Sequence, residues 1–288
     1  MFIKSRAKIN ITLDVVGKRE DGYHDLRMIM QTINLYDMVS IRKMNAPGIK
    51  LTTNLPWLPT NENNIAYKAA KLFKESYGIK EGVSISLKKR IPVAAGLAGG
   101  SSNAAGVLVG LNRLFRIHKS YEELMKLGVQ LGADVPYCIM RGTALAEGIG
   151  DKLTPLPPMP ECYILLAKPG INVSTVRVFK ELDLSKIDNP PLTDVVMDAI
   201  RKKDVHTIAR NMCNVLEVVT ENKYPIIKTI KDTMIQHGAL GAIMSGSGPT
   251  VFGIYDNKKE AYNTAHKLKL DASARDVFVT TIYNRKGE

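Results

Sequence analysis

The chain has 288 residues, 45% hydrophobic and 24% charged, and 40 Lys and Arg stand against 28 Asp and Glu, a net charge of +12. A chain of this length buries roughly 75% of its unfolded surface, which excludes dependence on cross-links for a core, and it lies near the size at which one core divides into two lobes. No stretch approaches the ~18 apolar residues of a membrane span, and the opening "MFIKSRAKIN" lacks the apolar centre of a signal peptide.

In chain order, "INITLDVV" (9–16) alternates as a strand does, and "VSISLKK" (83–89) repeats the pattern with Val83, Ile85 and Leu87 on one face. Between them Ile65, Ala69, Leu72, Phe73 and Tyr77 have helical spacing, closed by Gly78. After 92–106 comes a helix carried by Ala104, Ala105, Val107, Leu108, Leu111, Leu114 and Phe115, with Ser101, Ser102 or Asn103 as its cap. "SYEE" (120–123) is a capping box and "EGIGD" (147–151) a turn. The proline cluster "PLPPMP" (155–160) breaks any regular element; it reads as the connection between lobes 1–155 and 161–288, the alternative being a rigid loop. "CYILLAK" (162–168) is a buried strand, helical stretches run to about Val219, and a helix spans 224–237 with Pro225 in its first turn. "ALGAIMS" and "VFGIY" are strands around the loop "GSGPT", followed by a helix (258–268) and a strand (277–283). Strand–helix–strand–strand–helix–strand is the split βαβ plan, so the fold class is α+β in two lobes.

The stretch "PVAAGLAGGSSNAAG" (92–106) holds four glycines, five alanines and paired serines. It joins a strand to a helix, where the first amides are free and the macrodipole places about half a positive charge. Glycines there admit an anion to the main chain, which makes a phosphate cradle. The spacing of Gly96, Gly99 and Gly100 fits neither a Walker A loop nor a dinucleotide fingerprint. The alternative is a tight turn packed closely on a sheet. A second glycine loop, "MSGSGPTVFG" (244–253), reads alone as a hairpin turn, and Lys8 and Asn10 share one face of the first strand, where both need partners. The surplus of basic charge suits an anionic ligand or a lysine-rich surface. Aromatics at 6%, with no aromatic–basic ladder, argue against nucleic acid. Cys138, Cys162 and Cys213 form no C-x-x-C pair and no even framework, which points to a reducing compartment, the cytoplasm.

Lys8 to Asn10, "PVAAGLAGGSSNAA" and "SGSGPT" resemble, in order and over essentially the whole chain, the three motifs of the small-molecule kinases named for galactokinase, homoserine kinase, mevalonate kinase and phosphomevalonate kinase, the GHMP kinases. Ala98 departs from that pattern, since relatives often carry glycine there. "DGYH" (21–24) with "GADVPYC" (132–138) narrows the likeness to members acting on a cytidine diphosphate-linked methylerythritol. The resemblance implies an ATP-binding N-terminal lobe with a mixed sheet, and a C-terminal lobe on the split βαβ plan. It makes Lys8 and Asp134 catalytic, with Asp134 as general base and the Lys8 ammonium as its partner. ATP would be held by Pro92, Val93, Ala94, Ala95, Gly96, Leu97, Ala98, Gly99, Gly100, Ser101 and Ser102, backed by Gly246, Ser247 and Gly248. Tyr23 would stack on the cytosine, His24 bond its edge, Phe179 close its other face, Asn10 bond the polyol and Thr175 help position it. Magnesium is expected with ATP, with a serine hydroxyl and Asp134 as candidate ligands. The other readings are a kinase of another alcohol, such as homoserine or mevalonate, and a non-catalytic nucleotide-binding regulatory protein. Against the first, those alcohols offer no base for "DGYH" to hold; against the second, a binding protein has no chemical need for both Lys8 and Asp134.

Overall fold

The computed structural model describes residues 1–187 and 190–284, which fall into two compact units. One comprises 1–7, 35–93 and 98–141; the other comprises 8–34, 94–97 and the described residues from 142 on. Two long strands, β1 (Phe2–Lys18) and β2 (His24–Met44), have residues in both.

The first unit adds β3 (Ile49–Thr53), α1 (Ile65–Ser76), β4 (Gly82–Lys88), α2 (Gly99–Leu114), α3 (Tyr121–Val129) and α4 (Asp134–Met140). β4 pairs antiparallel with β2, Met38 opposite Lys88, and parallel with β3. The sheet is therefore mixed, as expected. α1 ends beside Gly78 at φ +64, and Ser120 and Glu123 form the anticipated capping box of α3. Ten consecutive residues of α2, Ser102 to Leu111, are buried. Its small residues let it lie directly on the strands. A Cβ on Gly106 would meet Ser5 Oγ at 2.3 Å, and one on Gly110 would meet Ile41 Cδ1 at 2.5 Å. At Gly106, the last residue of the glycine- and alanine-rich run, the small residue serves packing.

The second unit adds β5 (Thr143–Gly148), β6 (Lys152–Pro155), β7 (Tyr163–Lys168), α5 (Thr175–Glu181), α6 (Thr193–Arg201), α7 (Val205–Arg210), β8 (Cys213–Asn214), α8 (Glu217–Lys223), α9 (Ile226–Gln236), β9 (Gly241–Met244), β10 (Val251–Tyr255), α10 (Lys258–Leu270) and β11 (Asp276–Thr281). Here β5 pairs with β2 and β6, while β8 pairs parallel with β1, Thr12 opposite Cys213. A separate four-stranded sheet has the order β11-β7-β10-β9, entirely antiparallel. First strand beside fourth, and third beside second, is the split βαβ arrangement read from the sequence. β8 is not among the expected elements, which between 169 and about Val219 are helical stretches. It is two residues long and leaves this sheet to pair with β1.

Candidate functional site

In the second unit, β1 carries Lys8 and Asn10 two residues apart, pointing to one face. Both are buried, and the Lys8 ammonium donates to Asn10 Oδ1 at 2.7 Å. The Asn10 amide donates in turn to Met28 Sδ at 3.2 Å. Loop residues Ala94–Leu97 lie beside this strand, where the Lys8 N–H donates to Leu97 O at 3.2 Å. The second glycine loop comes to the same place. Ser245 Oγ donates to Gly96 O at 3.0 Å, and a Cβ on Gly96, at φ +74, would lie 2.1 Å from Ser245 O. A Cβ on Gly246, at φ +57, would stand 3.3 Å from Gly96 O and 3.6 Å from Asn10 Oδ1. At Gly96 glycine is required by backbone sign and by space; at Gly246 the positive φ favours it and the space is tight.

From that loop the contacts continue to α5. Ser247 Oγ is 2.7 Å from Thr175 Oγ1. The Ser174 hydroxyl caps this short helix, and its spacing sets Thr175 and Phe179 on one face. The Phe179 ring stacks on His24 at 5.2 Å between centroids and 30° between planes. Beside His24, Tyr23 is 62% exposed. The turn before it is fixed by Asp21, whose Oδ1 accepts from the Tyr23 N–H at 3.0 Å, and by Arg19, which pairs with Asp21 and Asp25. Contacts thus join residues 8, 10, 96, 97, 175, 246 and 247, and α5 carries Phe179 from Thr175 to His24.

In the first unit, the remaining loop residues Pro92 and Val93 precede, and Ala98 begins, the approach to α2. Ala98 is in the left-handed conformation, φ 52 and ψ 31, and Ala94 in the second unit has φ 51. An alanine there is strained by about 1–2 kcal/mol, so the Ala98 departure from the family pattern has a local cost. The helix begins at Gly99, ahead of the expected cap at Ser101, Ser102 or Asn103, and no side chain caps it. Ser102 N bonds Ala98 O at 2.9 Å, which leaves the amides of Gly99, Gly100 and Ser101 without an intrahelical acceptor. No acidic residue occupies the first turn. These features fit a bound phosphate. Asp134 is half-buried at the first position of α4.

Asn103 is not a cap because a stronger interaction takes it. Its amide donates to Asp37 Oδ2 at 2.9 Å, while its oxygen accepts from Lys89 Nζ at 2.8 Å. Lys89 also pairs with Asp37. Asp37 Oδ1 accepts from the Arg90 and Ile91 N–H groups at 2.6 and 2.9 Å, which fixes the backbone just before the loop. Lys89, at the end of the segment 83–89 expected as a strand, is 8% exposed. In the second unit two further residues escaped the sequence reading. Asn214 and Glu217 bond the main chain at the second glycine loop. Burial pushes the Glu217 carboxyl above its ordinary range, against the pull of Lys231, 3.0 Å away.

The description "GHMP kinases N terminal domain" matches residues 64–142, and "GHMP kinases C terminal" matches residues 196–272. A protein of Lachnoclostridium phytofermentans named 4-diphosphocytidyl-2-C-methyl-D-erythritol kinase is 54% identical over 99% of this chain and 98% of its own. One of the same name from Caldicellulosiruptor saccharolyticus is 51% identical over 98% of this chain and 96% of its own. The crystal structure of a 4-(cytidine 5'-diphospho)-2C-methyl-D-erythritol kinase superimposes with a TM-score of 0.85 at 31% identity, covering 99% of this chain and 100% of that one. A homoserine kinase from Cytophaga hutchinsonii shares the fold at a TM-score of 0.73 and 21% identity, over 97% of this chain and 96% of its own.

Proposed function

This chain belongs to the GHMP kinases, and from that premise we propose that it transfers the terminal phosphoryl group of ATP to the 2-hydroxyl of 4-diphosphocytidyl-2-C-methyl-D-erythritol, in the non-mevalonate route to isoprenoid precursors. The observation that carries this reading is the likeness, over 99% of the chain, to a kinase named for that substrate. The contacts that join Lys8 and Asn10 to the glycine loop, Thr175, Phe179 and His24 agree with it.

In this reading the hydroxyl oxygen attacks the γ-phosphorus, the bond to the β,γ-bridging oxygen breaks, and the hydroxyl proton passes to the Asp134 carboxylate. The Lys8 ammonium offsets negative charge on the transferring group, and Asn10 holds it in place while orienting the polyol. Residues 92–102 bind the triphosphate through main-chain N–H groups and the two serine hydroxyls, and Gly246–Gly248 supports it. Tyr23 and Phe179 take the faces of the cytosine and His24 its edge. Phe179 and His24 stack on each other in the present structure, so the base enters beside that stack or displaces one ring. Magnesium supplies further charge neutralisation. Among the described residues no group of three or more His, Cys, Asp or Glu is arranged to hold a metal. A loop serine and Asp134 are the candidate protein ligands of such an ion. The division 1–155 and 161–288 follows the same reading, with the proline cluster between the lobes. Three free thiols, two of them buried, accord with a place in the cytoplasm.

The test is ADP release from Mg-ATP with the cytidyl substrate, homoserine and mevalonate in parallel. Turnover with the cytidyl substrate alone is expected. Turnover with another alcohol would retain phosphoryl transfer and discard the cytosine pocket; no turnover with any of them would overturn the reading.

A further inference from the structure

We propose that Asn214, assisted by Glu217, is a positioning residue that sets the second glycine loop against the Lys8–Asn10 pair; this rests on the kinase reading above.

Asn214 is 3% exposed, and each arm of its amide has an assigned partner. Its Nδ2 donates to Met244 O and to Gly246 O, each at 2.8 Å, and its Oδ1 accepts from the Leu216 N–H at 3.0 Å. Glu217 Oε1 accepts from the Met244 N–H at 2.6 Å. Met244 ends β9, the edge strand of the four-stranded sheet, whose outward main-chain groups have no neighbouring strand. The two side chains take the place of that strand and continue one residue pair into the loop. Glu217 is itself anchored by Lys231, which also pairs with Glu221 at 2.6 Å.

The other end of this short segment is tied to β1. Leu13 stands opposite Asn214 in parallel register, and the Val215 N–H donates to Leu13 O at 3.0 Å. One five-residue stretch, 213–217, thus bonds both the strand that presents Lys8 and Asn10 and the loop that faces them. Gly246, whose carbonyl Asn214 holds, is the loop residue that faces Gly96 O and Asn10 Oδ1, 3.3 and 3.6 Å from where its Cβ would stand. Release of that carbonyl frees the left-handed turn at Gly246 to move away from the ammonium–amide pair.

The experiment uses the full chain with Asn214→Ala, Asn214→Asp and Glu217→Gln. Asparagine to aspartate keeps the shape and removes both donors. Glutamate to glutamine keeps an acceptor for the Met244 N–H. Steady-state kinetics are read with the cytidyl substrate, and amide hydrogen exchange is followed across 244–250 without ligands. The expected result for both Asn214 variants is a loss in kcat of about tenfold to a hundredfold, the scale of a misplacement near 1 Å. KM for the cytidyl substrate should stay within about twofold, because the Tyr23 and His24 turn is untouched. Exchange in 244–250 should quicken while α10 and β11 keep wild-type protection. Glu217→Gln should retain most activity and protection. Unchanged kcat and unchanged loop exchange in the Asn214 variants would overturn the inference, as would equal loss of protection throughout the unit, which marks a merely structural role. If Asn214→Asp does not fold, Asn214→Ala decides by the same two readings; if neither folds, Glu217→Ala does, by the loop exchange expected to quicken at Met244. Wild-type inactivity toward every alcohol would instead fail the kinase reading and leave the exchange result to decide the positioning role alone.

Discussion

Replacing Asp37 by asparagine removes one negative charge from a site where both partners are buried. Asp37 is fully buried and the Lys89 side chain is 4% exposed. The carboxylate receives four donors: Lys89 Nζ, Asn103 Nδ2 and the Arg90 and Ile91 N–H groups. The ammonium has two acceptors there, Asp37 and Asn103. In Asp37→Asn one oxygen can still serve the two main-chain amides, but the new NH2 group faces the ammonium and the Asn103 amide, donor against donors. Breaking a buried pair from one side costs about 3–5 kcal/mol, a large share of a typical stability of about 5–15 kcal/mol. Lys89→Met leaves the carboxylate with three N–H donors, so its loss should be smaller, about 1–3 kcal/mol. The double variant should lose less than the sum of the two. The assay is urea unfolding followed by the fluorescence of Trp57, the chain's one tryptophan, which lies in the same unit. A cost below about 1 kcal/mol for Asp37→Asn, or a Lys89→Met loss larger than it, would refute the reasoning.

Three further outcomes follow from single residues. Gly96→Ala combines a left-handed backbone with a methyl 2.1 Å from a main-chain oxygen; it should cost at least about 2 kcal/mol and abolish turnover, measured by thermal unfolding and ADP release. Asp134→Asn should lower kcat by about 10²–10⁴-fold while ATP binding, followed by calorimetry, is kept; near-normal turnover would remove Asp134 as the base. Burial pushes the Cys162 thiol from 9.0 up to about 12. The folded state therefore keeps its proton while the unfolded chain loses it, so stability is intact below pH 9 and falls as pH rises toward 12. By pH 10.5 the loss should be about 2 kcal/mol. Cys162→Ala should lack that part of the alkaline slope, and identical slopes in the two proteins would count against it.

Much of the fold was legible because its local signals are strong. The capping box of α3, the glycine after α1 and the alternation in β4 each have a single low-energy outcome. The 21 residues of β2 gave no such signal. Its middle is buried on both faces, a run of six residues from Arg27's successor Met28 to Ile33, so the period of two is lost where the strand is most central. β8 is only two residues long and flanked by helices, too short for any periodicity. Asn214 looked ordinary for the same reason: the carbonyls its amide holds lie about 30 residues away, and no spacing in the sequence encodes them.

Asp37 and Lys89 are a different case, since a usable signal was present. Alternation returns in the second half of β2, where Leu35, Asp37, Val39 and Ile41 are buried while Tyr36, Met38 and Ser40 are half-buried. Asp37 thus holds an inward position on an otherwise apolar face. In β4 the inward set is Val83, Ile85 and Leu87, and two residues on comes Lys89. Met38 stands opposite Lys88 in antiparallel register, and one further step of that register sets Asp37 opposite Lys89. A charge at the inward phase of a strand has to find a partner or leave the sheet. Two opposite charges at inward phases of adjacent strands each supply what the other lacks. The pair then lies where β4 leaves the sheet, and its remaining hydrogen bonds fall on Arg90, Ile91 and Asn103, the residues on either side of the glycine loop. By phase, Lys89 and Asp37 are the anchor that holds both ends of the loop in the first unit.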